Sequence, residues 1–239
     1  MDTENKKTKI KFNILAIVCI LIFCFAITPI TLQNDTFYTI KIGELILNNG
    51  IDMQDHFSWH ENLPYTYPHW AYDTGIYLIY HLGEITGIAN GGMIAVYMST
   101  ILLTCSLGVL IYVTLNKIAK NQLVSFFLTL LVLYLFQGYI AARAQLLTFN
   151  LFVLTIYCIE SFLESKKKRY LVGLIIISII MANVHVAVWP FFFVVFLPYI
   201  AEYIIALIIE ANIISKLVLF RNKQKIKNIE NKIKKEKQE

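Results

Sequence analysis

Carboxylates and imidazoles gather in one stretch of this chain, Gln33–Asp73. Asp35, Asp52, Asp55 and Asp73 supply carboxylates together with Glu44 and Glu61, and His56, His60 and His69 supply imidazoles. The stretch contains Lys41 as its fixed positive charge and follows directly on an apolar run. Such groups beside a bilayer are what proton-transfer chemistry at a membrane surface needs. Asp35 can act as a base toward a hydroxyl that attacks an electrophile, or it can simply cap a helix. Asp55 is a second carboxylate that can orient an acceptor or share a cation, or else close a turn before Phe57. His56 and His60 stand four apart, a spacing that can hold a metal on a helix. Aromatic residues and Pro64 surround them and no HExxH is present, so polar packing within the loop is the expectation.

Farther along, Arg143 opens an apolar run. A guanidinium there suits bidentate phosphate binding, or it snorkels to the interface. Asn183 and His185 interrupt another apolar run. Polar groups so placed face a bundle interior or a wet cavity, and a helix–helix hydrogen bond is the plainer account.

The elements that carry these residues belong to a membrane. The 239 residues are 57% hydrophobic and 15% charged, with mean hydropathy +0.61; a soluble domain carries about 25% charge. The composition indicates an all-α polytopic membrane protein. The net charge of +5 resides in membrane flanks and does not point to nucleic acid. Cys19, Cys24, Cys105 and Cys158 fall in apolar runs and read as buried hydrophobes, not as a disulfide or zinc framework.

Six spans are expected: Phe12–Leu32, Met93–Leu115, Leu123–Ala141, Leu146–Phe162, Tyr170–Val188 and Phe191–Ile209. The first is too long for a signal-peptide core and is read as retained. Between the first two lies a loop, 33–92, with two interfacial helices. In Asp35–Asn48, Tyr38, Ile42, Leu45 and Ile46 make an apolar face; Asn34 or Asp35 caps the start and Gly50 the end. In His69–Gly87, His69, Asp73, Tyr77, Tyr80, His81 and Glu84 share one face, and Gly75, Leu78, Leu82 and Ile85 another. His69 and Trp70 anchor this helix. If it does not cross, every basic connection, Lys117, Lys120 and Lys166–Arg169 included, falls on one side, which the positive-inside rule makes cytoplasmic. Both termini are then inside a cell membrane, and loop 33–92 is extracellular or periplasmic. The membrane domain is 1–215, and 216–239 is a basic cytoplasmic tail, helical, with Ile226, Ile229 and Ile233 on one side.

The pattern resembles the first outer loop of GT-C-type glycosyltransferases, among them protein O-mannosyltransferases and aminoarabinose transferases. The residues that carry the resemblance are Asp35 just after the first span, Gly43-Glu44 and Gly50, Asp55-His56-Phe57-Ser58, and His69-Trp70. Ala142-Arg143-Ala144-Gln145 resembles an Arg-Pro-Gln that begins a later span, with Ala144 in place of proline. Asn183-Val184-His185 resembles an Asn-x-His near the outer end of a span. The resemblance implies sugar transfer from a polyprenyl-phosphate donor in the membrane lipid to an outer-surface acceptor. It puts Asp35 and Asp55 in catalysis and Arg143, Gln145, His69, Asn183 and His185 at the substrate. It leaves the cofactor open, a divalent cation being one option. Relatives continue with further spans, so an amino-terminal half that works with a second half or partner subunit is expected. The competing reading is a non-catalytic membrane protein, a small transporter or an assembly subunit.

Overall fold

A computed structural model describes the backbone of residues 2–236 and the side chains of 8–225, 227 and 228. The chain is an all-α polytopic membrane protein. Its helices are α1 (Asp2–Ile27), α2 (Asn34–Asn49), α3 (Trp70–Ile85), α4 (Gly91–Ala119), α5 (Gln122–Phe136), α6 (Ala144–Ser165), α7 (Arg169–Val184), α8 (Phe191–Val194) and α9 (Leu197–Glu236). Five segments are long and apolar enough to cross a bilayer: Thr8–Ile27, Gly91–Ala119, Gln122–Tyr139, Ala144–Ser165 and Phe191–Lys225. The sixth expected span is the shorter apolar helix α7. At about 1.5 Å per residue it reaches about 24 Å. The first span was expected to run to Leu32 but its helix stops at Ile27. Pro29, which lacks an N–H, follows, and Thr28 Oγ1 donates to the Cys24 carbonyl at 2.7 Å.

Two compact units divide the chain, 1–192 and 193–239. Within the second, α9 runs without a break through the expected boundary at 215/216. The side chains of Ile226, Ile229 and Ile233 lie outside the described residues.

In the first unit, α1 packs on α4 and α5 through Ala16, Ile20 and Cys24 against Leu107, Ile111 and Leu133. Apolar side chains such as Ile22, Leu102, Phe127 and Ile179 point outward, as a lipid-facing surface requires. Buried hydroxyls on these helices bond back to their own backbone: Thr100, Thr104, Thr129, Thr148 and Thr155 each donate to the carbonyl four residues earlier. That satisfies them where water is absent.

The loop helices differ from expectation in which face they bury. The stripe that α2 buries is Thr36, Thr39, Ile40 and Gly43 with Ile42, whereas Tyr38 is exposed. Small residues win because α2 sits directly on α3. A Cβ on Gly43 would collide with the Asp73 carbonyl oxygen and lie 2.6 Å from the Tyr77 Cβ. In α3 the buried stripe is Tyr72, Asp73, Ile76 and Gly83, so the expected polar face is divided, with Asp73 inside and His81 and Glu84 exposed. Asp73 is fully buried, while Leu78, Leu82 and Ile85 are 46%, 64% and 68% exposed. Its last turn closes on α4, where Gly83 and Gly91 meet backbone to backbone. Glu84 Oε1 accepts from the Gly92 N–H at 3.0 Å.

Candidate functional site

Two hydrogen bonds between distant parts of the chain register the site. Thr36 Oγ1 donates to the Ala142 carbonyl at 3.2 Å, which seats the first turn of α2 beside the start of α6. The Val186 N–H donates to the Pro68 carbonyl at 3.0 Å, which joins the segment ahead of α3 to the one after α7. The neighbours of the four bonded residues are Asp35, Arg143, His69 and His185. All four line one cavity of about 390 Å³, together with Gln145, and Tyr38, Thr39 and Tyr72 complete much of its wall. That volume lies in the range of small-molecule sites.

Asp35 is in the first turn of α2, not at its cap. Gln33 holds the cap position, and among the described residues no side chain bonds there. The Asp35 carboxylate instead accepts from Arg143 Nη2. Arg143 is itself the cap residue of α6, extended at φ −135° and ψ 155°, so its side chain leaves the helix axis toward α2. Ala144, at the first helical position where proline is favoured, adds a backbone N–H at the cavity wall. The positive end of the α6 dipole points the same way.

His69 and His185 pack edge to face, ring centroids 5.4 Å apart. The Asp73 carboxylate lies 3.4 Å from His69 Nδ1, which leaves Nε2 as the nitrogen available to the cavity. Burial pushes the Asp73 carboxyl above the usual carboxylate range, with the His69 contact pulling the other way. His185 Nδ1 lies 3.2 Å from Thr148 Oγ1. Burial, and then the neighbouring His69, push His185 below the ordinary histidine value. Burial also pushes the Tyr72 phenol up, assisted by Asp73.

Asp55 and Asn183 lie elsewhere. Asp55 Oδ1 accepts from the N–H groups of Phe57 at 2.8 Å and Ser58 at 3.2 Å, the turn-closing role. Asn183 Nδ2 donates to the Ile179 carbonyl of its own helix at 2.8 Å. His56 bonds Asp52 at 2.6 Å, and Asp52 also accepts from the Tyr67 hydroxyl at 2.7 Å. The Tyr67 bond, the Gln54 N–H and His56 hold the Asp52 carboxyl down to about 2. With the Gln54–Pro64 bridge these contacts fold 52–67 into a ribbon. Phe57 from that ribbon packs on Tyr38, ring centroids 4.4 Å apart, and so braces one wall of the cavity.

The cavity does not fit a divalent cation. Such ions take several oxygen ligands, carboxylates foremost, and Asp35 is the one carboxylate among the described lining residues, since Asp55 closes a turn elsewhere. Among the described residues no three His, Cys, Asp or Glu side chains are grouped as metal ligands.

Tyr38, Thr39 and Tyr72 line the cavity without having been singled out as site residues, and Asp73 stands behind His69. The signal was present as an Asp inside an apolar helix, which marks an inward face as often as a wet one. No family model matches this chain, and no curated protein or solved structure matches it either.

Proposed function

We propose that the chain is a GT-C-like glycosyltransferase, or the amino-terminal part of one, that transfers a sugar from a polyprenyl-phosphate donor to an outer-surface acceptor. One observation carries the reading. Asp35 and Arg143 stand 108 positions apart in sequence and meet in the wall of one cavity. An apolar groove of about 340 Å³, lined by Ile76, Ile79, Leu102 and Leu147 among others, shares Tyr72 with that cavity. An amphiphile with a charged head and an apolar chain suits the pair.

In the reaction, the acceptor oxygen bonds to the anomeric carbon. The bond from that carbon to the phosphate oxygen breaks, and its electron pair leaves with the phosphate. Asp35 takes the acceptor's proton and Arg143 holds the departing phosphate. The Asp35–Arg143 pair is no obstacle to this. The two side chains are 65% and 39% exposed, and an ion pair that wet contributes about 0–1 kcal/mol. A bidentate phosphate displaces the carboxylate and frees it to act as a base.

The test is transfer from a polyprenyl-phosphate-linked sugar by the purified chain in proteoliposomes, with and without a co-expressed second half. Arg143→Ala should lose donor binding, and Arg143→Lys should recover only part, since a point charge replaces a planar fork. Donor binding by Arg143→Ala at wild-type affinity removes Arg143 from the phosphate role.

A further inference from the structure

Two hydrogen-bond donors at the cavity wall are buried and have no partner among the described residues, the Tyr72 hydroxyl and Arg143 Nε. Tyr72 is 6% exposed, and its ring stands between the cavity and the apolar groove. A hydroxyl buried without an acceptor is a net cost to the fold, whereas the same ring without the hydroxyl would fill the same space. Asp73 does not supply the acceptor, since its own Oδ1 is also unpartnered. The Tyr72 hydroxyl therefore does nothing for the ligand-free protein that phenylalanine would not do.

What would satisfy it is an acceptor-rich group inside the cavity. Among the residues lining it, donors are carried by Arg143, Tyr72 and Ala144, with which α6 begins. Of the first-turn N–H groups, that of Leu146 donates to the Arg143 carbonyl at 3.1 Å, while those of Ala144 and Gln145 lack intrahelical acceptors and carry the positive end of the helix dipole. A planar guanidinium, a helix start and a neutral hydroxyl around one space match a tetrahedral oxyanion. Its several oxygens can accept from all three at once.

We infer that Tyr72 is a phosphate-binding residue, its hydroxyl completing with Arg143 and the start of α6 a clamp for a phosphate group in this cavity. The clamp deepens the proposed function by naming a further contact to the donor's phosphate. It rests on that reading only for what the phosphate carries.

The experiment compares Tyr72→Phe with wild type as full chains in nanodiscs, using farnesyl phosphate and inorganic phosphate as probes. Tyr72→Phe should weaken farnesyl phosphate binding about tenfold or more, the usual cost of a lost hydrogen bond to a charged group. Inorganic phosphate, followed by phosphorus NMR, should weaken in the same proportion. The thermal midpoint of ligand-free Tyr72→Phe should equal or exceed that of wild type, because an unpartnered buried hydroxyl has been removed. A lower midpoint would reveal an internal structural role and overturn the proposal. So would wild-type affinity in Tyr72→Phe, a loss confined to farnesyl phosphate, or no binding of either probe by the wild-type chain. If Tyr72→Phe loses phosphate binding while no sugar is ever transferred, the clamp stands and the transferase reading falls. If transfer occurs and Tyr72→Phe binds normally, the clamp falls and the transferase reading stands.

Discussion

The two ends of the first compact unit both carry a hollow, and they differ in the polar groups that line it. At the end away from α2 and α3, Lys9, Asn116, Lys120, Asn121 and Gln122 border a hollow of about 580 Å³. There Asn121 Oδ1 caps α5 by accepting from the N–H groups of Leu123 at 3.1 Å and Val124 at 3.2 Å. Gln122 Nε2 donates to the Lys9 carbonyl at 3.2 Å, and Lys117 pairs with Glu164 nearby. At the other end the cavity is smaller, about 390 Å³, but Tyr72 and Arg143 bring buried donors with no partner among the described residues. Size does not rank the two hollows as candidate sites, and buried unpartnered hydroxyls alone do not either, since Thr114 and Ser161 carry them on α4 and α6 toward the other end. What sets the α2–α3 end apart is that its unpartnered donors, on Tyr72 and Arg143, belong to residues that line the cavity.

The sharpest way to break the comparison is to ask whether the two ends lie on opposite sides of a membrane. Single cysteines in Gln54–Leu63 should label with a membrane-impermeant thiol reagent in intact cells, in a background lacking Cys19, Cys24, Cys105 and Cys158. Cysteines in Lys166–Arg169 should not label. External labelling at Lys167 would reverse the proposed orientation and carry the cavity to the cytoplasmic face.

Next in size is the chemistry. If the chain transfers sugar, Asp35→Asn should lower the rate by about 10²–10⁴-fold, the usual contribution of a general base, while folding and insertion persist. The amide keeps the side chain's size but cannot take a proton. Since Asp35 is not the cap of α2, a loss of activity cannot be assigned to a lost cap. Wild-type rates in Asp35→Asn would eliminate it as the base.

Gly43→Ala tests the packing that builds the cavity. A methyl there meets the Asp73 backbone, which cannot swing aside. The expected cost is about 1–3 kcal/mol of stability, as for other overpacked sites, seen as a lower thermal midpoint together with weaker farnesyl phosphate binding. An unchanged midpoint would mean that α2 does not rest on α3 as described.

Most of the helices were legible in sequence because long apolar runs have few alternatives. The Gly50 stop was legible too, since it needs a positive φ, here 76°. Asp35, Arg143, Gln145, His69 and His185 were each singled out, and the fold brings them to one cavity. What could not be read was which face of α2 and α3 turns inward. Side-chain size and apolar area favour Leu45 and the ring of Tyr38 over Thr36, Thr39 and Gly43, yet close approach of two backbones selects small residues, a criterion that an apolar-face reading does not score. Asp73 was read as part of a polar face, and of that face the helix buries Asp73 while His81 and Glu84 stay exposed. Asp55 read as either a second catalytic carboxylate or a turn residue because a turn and a base use the same side chain. Only the backbone path, which gives Asp55 two N–H donors, separates them.

At the Asn121 end, Asn121→Ala should cost about 1 kcal/mol, the usual loss of a helix cap. It should leave phosphate binding at the other end unchanged. A parallel loss of binding would show that the two ends are coupled and that the contrast between them is not local.

The smallest expected effect is a pH dependence confined to the cavity end. His185 sits below its ordinary value because it is buried and faces His69. Between its folded value and the ordinary histidine value near 6.5, the unfolded chain binds more protons than the folded one. Stability should therefore decline as pH falls through that window and level off below the folded value. Asp73 has the opposite sign, in a window that starts at the ordinary carboxylate range. Its folded value is raised by burial, so stability declines as pH rises from the ordinary carboxylate range toward that raised value. His185→Gln should abolish the decline in thermal midpoint between pH 7.5 and 5.5. His69→Gln should shrink it without removing it, because burial, the larger cause, remains. An undiminished decline in His185→Gln would assign the effect to another group and detach His185 from the buried wall of the cavity.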